Sequence, residues 1–235
     1  MRLCMFHPVD KPMERGWVGR IDGDHVVQLA AQTIQAFFSG GAKAREHAVY
    51  PLAAVRLLAP VLHPPAVRLF DDQTSFTFAN PAAIGGPGLM VGPPIAPSNS
   101  LLQGVLVLLP RVASVIGADE EVGGFTILAE WRRTGMPPPK DRDFALGLGP
   151  VVVTPDELSP DGIEAAVRVD GKELLRGELE DFDWAEAQAY AAAGTRGRSG
   201  DLLAGPALGS VEVEPGSTVE LEVDGIGALV QSVAT

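Results

Sequence analysis

The stretch from Lys140 to Leu158, KDRDFALGLGPVVVTPDEL, limits the fold more than any other part of the chain. A run of three β-branched apolar residues, Val151-Val152-Val153, is too short for a buried helix and reads as a fully buried strand. Gly147-Leu148-Gly149-Pro150 before it reads as a corner into that strand. Thr154-Pro155-Asp156-Glu157 after it reads as a turn into a helical start, with Pro155 suited to a first turn. The charged opening, Lys140-Asp141-Arg142-Asp143, then stands at the mouth of a sheet. There it is either a solvated loop or part of a site.

Two Asp-Gly pairs extend the β reading. Trp17 to Ile21 and His25 to Leu29 flank Asp22-Gly23-Asp24, and Ile163 to Val169 and Lys172 to Glu178 flank Asp170-Gly171. Alternating runs around Asp-Gly are a strong hairpin signal. With 27 Gly and 20 Pro, the chain has too many breakers for a helix bundle. Helical spacing is confined to Ala30–Phe38, stopped by Gly40-Gly41, and to Trp184–Ala193, stopped by Gly194. The expectation is a mainly β (α+β) protein of 235 residues with one main domain.

A formal net charge of −12 argues against nucleic acid and anionic membrane as partners. One cysteine, Cys4, leaves no internal disulfide framework. There is no apolar run of membrane-spanning length and no signal-peptide pattern, so a soluble, cytoplasmic protein is expected.

Lys140, Phe144, Leu148-Gly149-Pro150 and Thr154-Pro155-Asp156-Glu157 together are similar to the lysine-to-Gly-Pro strand of the fumarylacetoacetate hydrolase family. The first hairpin and the helix after it resemble that family's small N-terminal subdomain. Phe76-Thr77-Phe78-Ala79-Asn80-Pro81 with Gly86-Pro87-Gly88 resembles its Asn-Pro to Gly-Pro-Gly segment, and Pro215 to Gly227 its closing hairpin. The resemblance runs from about Trp17 to Val233. It implies a mixed β-sandwich or roll over residues 61–235, preceded by a small hairpin-and-helix subdomain and linker over residues 1–60.

The same resemblance implies a metal site built from a Glu-x-Glu pair on one strand and a downstream Asp, with a catalytic-loop histidine nearby. Aligned on its neighbours, the chain has Gln103 and Val105 in place of the pair, and Glu130 in place of the Asp. The histidine loop is cut short at Asp71 to Ser75, and all four histidines are expected in ordinary structural or surface roles. The usual hydroxyl-bearing turn is replaced by Ala204-Gly205-Pro206-Ala207. One carboxylate does not hold Mg²⁺ against its hydration shell, so no metal and no other cofactor is expected.

What remains is Glu130 as an acid/base and Lys140 as an electrostatic anchor, with Gln103, Arg132, Asp143 and Gly205 as candidate substrate contacts. Glu130 and Lys140 facing one pocket form either a structural ion pair or a ligand site. The resemblance implies a divergent, metal-independent enzyme acting on a small oxo-acid or carbonyl compound by proton transfer, isomerisation, cyclisation or C–C cleavage. The alternative is a non-catalytic binding module, or the partner subunit of an active paralogue. A homodimer is expected, since the apolar run Val105–Leu109 needs cover on both faces.

Overall fold

A computed structural model of the chain describes residues 1–92, 104–159, 162–179 and 182–235. In chain order the strands begin with β1 (Arg2–Pro8), β2 (Trp17–Asp22), β3 (His25–Leu29), β4 (Glu46–Pro51) and β5 (Val55–Leu58). Next come β6 (Val67–Asp72), β7 (Ser75–Phe78), β8 (Ile84–Gly85), β9 (Met90–Val91) and the long pair β10 (Leu106–Ile116) and β11 (Val122–Arg133). They are followed by β12 (Leu146–Val153), β13 (Glu164–Val169), β14 (Lys172–Glu178), β15 (Leu202–Ala204), β16 (Val211–Val213), β17 (Thr218–Val223) and β18 (Gly227–Val233). Among the described residues two α-helices interrupt them, α1 (Ile34–Ser39) and α2 (Trp184–Ala192).

The protein is mainly β, with two sheets among the described residues. Among the described residues, the larger sheet runs β4-β3-β2-β1-β12-β11-β10-β15-β6-β7, with β5, β8 and β16 paired at its margins. The smaller runs β14-β13-β17-β18-β9. The N-terminal strands enter the larger sheet through β1, which pairs with β12.

Side chains alternate across the long strands, and each face of β11 serves a different core. Ile127, Ala129 and Trp131 point to the smaller sheet and pack with Val167, Leu221 and Leu229. Leu128 points the other way, with Leu146 and Leu148 of β12, toward Ile34, Phe37 and Phe38 of α1. The two sheets also meet closely where Gly147 faces Gln231. A Cβ at 147 would stand 2.5 Å from the Gln231 amide. That amide accepts a 2.9 Å bond from the indole of Trp131.

Both Asp-Gly hairpins form. β2 and β3 close at Asp22 opposite His25, and β13 and β14 close at Val169 opposite Lys172. In the second turn Asp170 and Gly171 both have positive φ, 50° and 78°, as a type I′ turn requires. Helix α1 is shorter than its spacing suggested. Thr33 caps it by accepting from the Ala36 amide at 3.0 Å, while Ala30 upstream is paired with Arg45. Helix α2 starts at an Asp183 cap, as expected for Trp184 onward.

The organising stretch differs in two details. Gly147 to Pro150 is part of strand β12 and not a corner before it. Pro150 has no N–H for the ladder, and the pairing with β11 changes register there, from Ile127 opposite Gly149 to Phe125 opposite Val153. Thr154 to Glu157 closes a turn (Glu157 N to Thr154 O, 2.9 Å) but leads into no helix among the described residues. No helix among these residues is long and apolar enough to cross a membrane.

Candidate functional site

Strands β10 and β11 run antiparallel with Leu109 opposite Glu130. Side chains two apart on a strand share a face, so Leu109 and Arg111 on β10 lie on the same face as Glu130 and Arg132 on β11. That face carries the apolar cluster under α1, and the charged group marks the end of it.

Glu130 is fully buried, at 0% exposure, and both of its oxygens are taken by arginines. Arg111 Nε donates to Oε2 at 2.8 Å, and Arg132 Nε donates to Oε1 at 2.5 Å. Arg142 Nη1 stands 4.0 Å from Oε1. Arg111, 2% exposed, also sends Nη1 to the carbonyls of Phe70 and Gly205, at 2.7 Å each, and its Nη2 lies 3.6 Å from Asp71 Oδ1. A buried carboxylate is tolerable only when paired and hydrogen-bonded, and this one is both.

The other two arginines are less buried than Arg111. The Arg132 side chain is 29% exposed, and among the described residues its two terminal nitrogens make no hydrogen bond. Arg142 is bidentate on Asp141, at 3.0 and 2.8 Å. That hydrogen bond, more than any Coulombic effect, pushes its guanidinium above the ordinary arginine value despite partial desolvation.

The five described candidates named from sequence separate into three groups. Glu130 and Arg132 are together at the centre. Lys140 is not beside Glu130. Its side chain is 67% exposed and bonds Asp143 Oδ2 at 2.6 Å, and the Asp143 carbonyl in turn accepts from Asn80 at 3.1 Å. Gly205 touches the site only through its backbone. Its carbonyl serves Arg111 and its N–H donates to Val112 O at 3.0 Å, which leaves no donor for a ligand. Gln103 lies outside the described residues.

The strand register also moves the expected carboxylate pair. Val105 is exposed and bonded through its backbone to Thr134, four residues beyond the register partner of Glu130. A pair able to share an ion with Glu130 has to stand at 109 and 111, where the chain has Leu and Arg. The residues present therefore do not suit a divalent ion. The carboxylate lone pairs face guanidinium groups, and a fixed positive charge stands beside them. Among the described residues no three His, Cys, Asp or Glu side chains gather where they could hold one.

Sequence reasoning passed over Arg111. Its signal was available, because a lone arginine inside the strand Leu106–Ile116 has to find a buried partner. Cys4 supplies no nucleophile, since burial pushes its thiol up to about 12. Of the histidines, His7 is buried and its Nδ1 lies 2.8 Å from the Pro8 carbonyl, while His25 sits on Asp24 at the surface.

Residues 109–234 match the family model described as fumarylacetoacetate (FAA) hydrolase, C-terminal, which is more than half of the chain. The chain belongs to the fumarylacetoacetate hydrolase family. The match begins at Leu109, directly across from Glu130. No curated protein matches the chain by sequence. Among solved structures it is similar to maleylpyruvate hydrolase from Sphingobium sp. SYK-6 in complex with manganese(II) and pyruvate (21% identity, TM-score 0.80). It is also similar to 5-carboxymethyl-2-hydroxymuconate delta-isomerase from Mycobacterium smegmatis (23%, 0.78) and to a 2-keto-3-deoxy-D-arabinonate dehydratase complexed with magnesium and 2,5-dioxopentanoate (17%, 0.79). Each alignment covers 100% of this chain and 99% of the other. At these identities the likeness establishes the fold, and function has to be argued from the site.

Proposed function

We propose that the chain is a metal-independent member of its family that binds a small oxo-acid or related carbonyl compound at the arginine-lined mouth over Glu130. The observation that carries this is the pairing of Arg111 with Glu130, which gives the site a fixed cation in the absence of paired carboxylates. Oxo-acid ligands in two of the structural relatives support the substrate class. Arg132 is the natural contact for the ligand carboxylate, because its Nε is on Glu130 while its outer nitrogens make no hydrogen bond among the described residues and its side chain is partly exposed. Arg142 stands near the same carboxylate, 4.0 Å from Oε1, and the Lys140–Asp143 pair flanks Arg142 in sequence.

As an enzyme, the chain works by proton transfer and not by hydrolysis, since hydrolysis loses most when an enolate has no metal to stabilise it. The ligand carboxylate draws Arg132 away from Glu130 Oε1. That leaves one oxygen of a buried, positioned carboxylate free to take and return a proton. The protein acts as a homodimer.

The second reading is a non-catalytic binding module or the partner subunit of an active paralogue. The full occupation of both Glu130 oxygens by arginines favours it.

Calorimetric titration with pyruvate and oxaloacetate in EDTA tests the proposal. Binding is expected without added metal, and Arg132→Ala weakens it about 10- to 100-fold, the worth of a charged hydrogen bond. Binding that requires Mn²⁺, or that ignores Arg132, overturns it. Binding with no isomerised or cyclised product in proton NMR decides for the non-catalytic reading.

A further inference from the structure

We infer that Arg111 is the resident cation of this site. Its guanidinium, built into β10, does the bridging between chain segments that a divalent ion does elsewhere. The inference rests on the metal-independent reading and adds the source and location of the positive charge.

The first support is how Arg111 spends its donors. Nε goes to a carboxylate on β11, Nη1 to the Phe70 carbonyl on β6 and to the Gly205 carbonyl just after β15, and Nη2 faces the Asp71 carboxylate. One positive group thus gathers oxygens from three segments of chain besides its own. A hard cation collects ligands in the same way, but it has to be loaded, whereas an arginine is always charged and always present. A purely structural buried pair needs only one carboxylate. Here two main-chain carbonyls and a second carboxylate turn toward the same guanidinium.

The second support is register, and it is independent of the bonds. Leu109 is directly opposite Glu130, and Arg111 is two residues further on along the same face. Directly opposed and diagonal neighbours on one face are close enough for their side chains to meet. Carboxylates at 109 and 111 would therefore converge with Glu130 on the volume the guanidinium now fills. The present chain has an apolar group at one of these positions and the cation itself at the other.

Two variants test the assignment. In Arg111→Ala the site loses its cation but keeps its oxygens. Millimolar methylguanidinium is expected to raise the melting temperature more than sodium chloride at equal ionic strength, and the difference disappears when Glu130→Gln is added. In Leu109→Glu with Arg111→Glu, manganese(II) is expected to bind one to one by calorimetry, at least tenfold more tightly than to wild type. Adding Glu130→Gln removes that gain. If the double variant does not fold alone, refolding in Mn²⁺ is expected to recover it. The assignment is overturned if the double variant, folded by circular dichroism or refolded in Mn²⁺, binds the ion no better than wild type or regardless of Glu130. Failure to refold in Mn²⁺ together with no methylguanidinium rescue overturns it equally. Oxo-acid binding by wild type enters neither arm, so this inference and the functional reading fail separately.

Discussion

Among the described residues, the larger sheet and its margins hold two buried arginine–carboxylate pairs, and they are built to different standards. Arg111 and Glu130 lie on adjacent antiparallel strands at 2.8 Å, and the other donors of Arg111 face carbonyls and a second carboxylate. Arg68, on β6, meets Asp201, just before β15, at 3.3 Å. Arg68 Nε and Asp201 Oδ1 are buried with no partner among the described residues. Both residues line a small void of about 20 Å³ with Ile116, Ala191 and Leu203. That is room for one water, and the two orphaned atoms are an acceptor and a donor for it. The Arg68 guanidinium otherwise leans on Phe76 and Phe78, at 5.7 and 5.5 Å from the ring centroids. The same residue chemistry thus makes a closed polar node in one place and, in the other, a looser one with room for a water. The closed node is the one beside Arg132, whose outer nitrogens make no hydrogen bond among the described residues.

The sharpest way to break this comparison is to remove one partner from each pair. Glu130→Gln leaves two guanidinium groups facing a neutral amide at a fully buried position. A loss of about 3–5 kcal/mol is expected in urea denaturation. Asp201→Asn leaves Arg68 with its aromatic contacts and a water-sized gap that can adjust, so the expected loss is about 1–3 kcal/mol. Equal losses would mean that the extra bonds of Arg111 contribute nothing, and the contrast between the nodes would be lost.

Replacing both partners sharpens it further. Apolar residues of similar volume often restore what a broken buried pair costs. Arg68→Met with Asp201→Leu is expected to recover at least half of the Asp201→Asn loss, because methyl groups fill the void. Arg111→Met with Glu130→Leu is expected to recover little. Phe70 O, Gly205 O and Arg132 lose their partner in that variant, and no apolar group replaces a hydrogen bond to a buried carbonyl. Full recovery in the second case would show that Arg111 is an ordinary strut.

These nodes also show what could be read from the sequence. Asp-Gly turns with alternating flanks announce hairpins locally, and both formed where expected. The run Val151–Val153 announced a buried strand, and its Thr-Pro turn followed. The position of Glu130 on a buried strand was legible, because the resemblance set it in the place of the family's downstream Asp. The partner strand was misplaced by about six residues. Val105 to Leu109 is apolar throughout, and an unbroken apolar run carries no register information. The only charged landmark in β10 is Arg111, and the register it forms with Glu130 is a long-range property of the folded sheet. Lys140 was misjudged for a related reason. A lysine in a charged loop can turn inward or outward, and the sequence does not say which partner is nearer.

Lys140→Ala is the smallest expected effect, and it tests that last point. Had Lys140 paired with Glu130, removing it would strand a buried carboxylate. Instead its ammonium holds Asp143 at the surface, 67% exposed, where water screens the pair and the side chain gives up rotamer freedom to hold it. Stability within about 1 kcal/mol of wild type is therefore expected, with no added sensitivity to salt. Oxo-acid affinity is expected to fall only a few-fold, because Lys140 sits at the rim while Arg132 reaches the centre. A collapse of the melting temperature in Lys140→Ala would put the lysine back against Glu130 and remove Arg132 from the role of carboxylate contact. A loss of affinity as large as that in Arg132→Ala, at unchanged stability, would instead move the ligand outward, onto the rim.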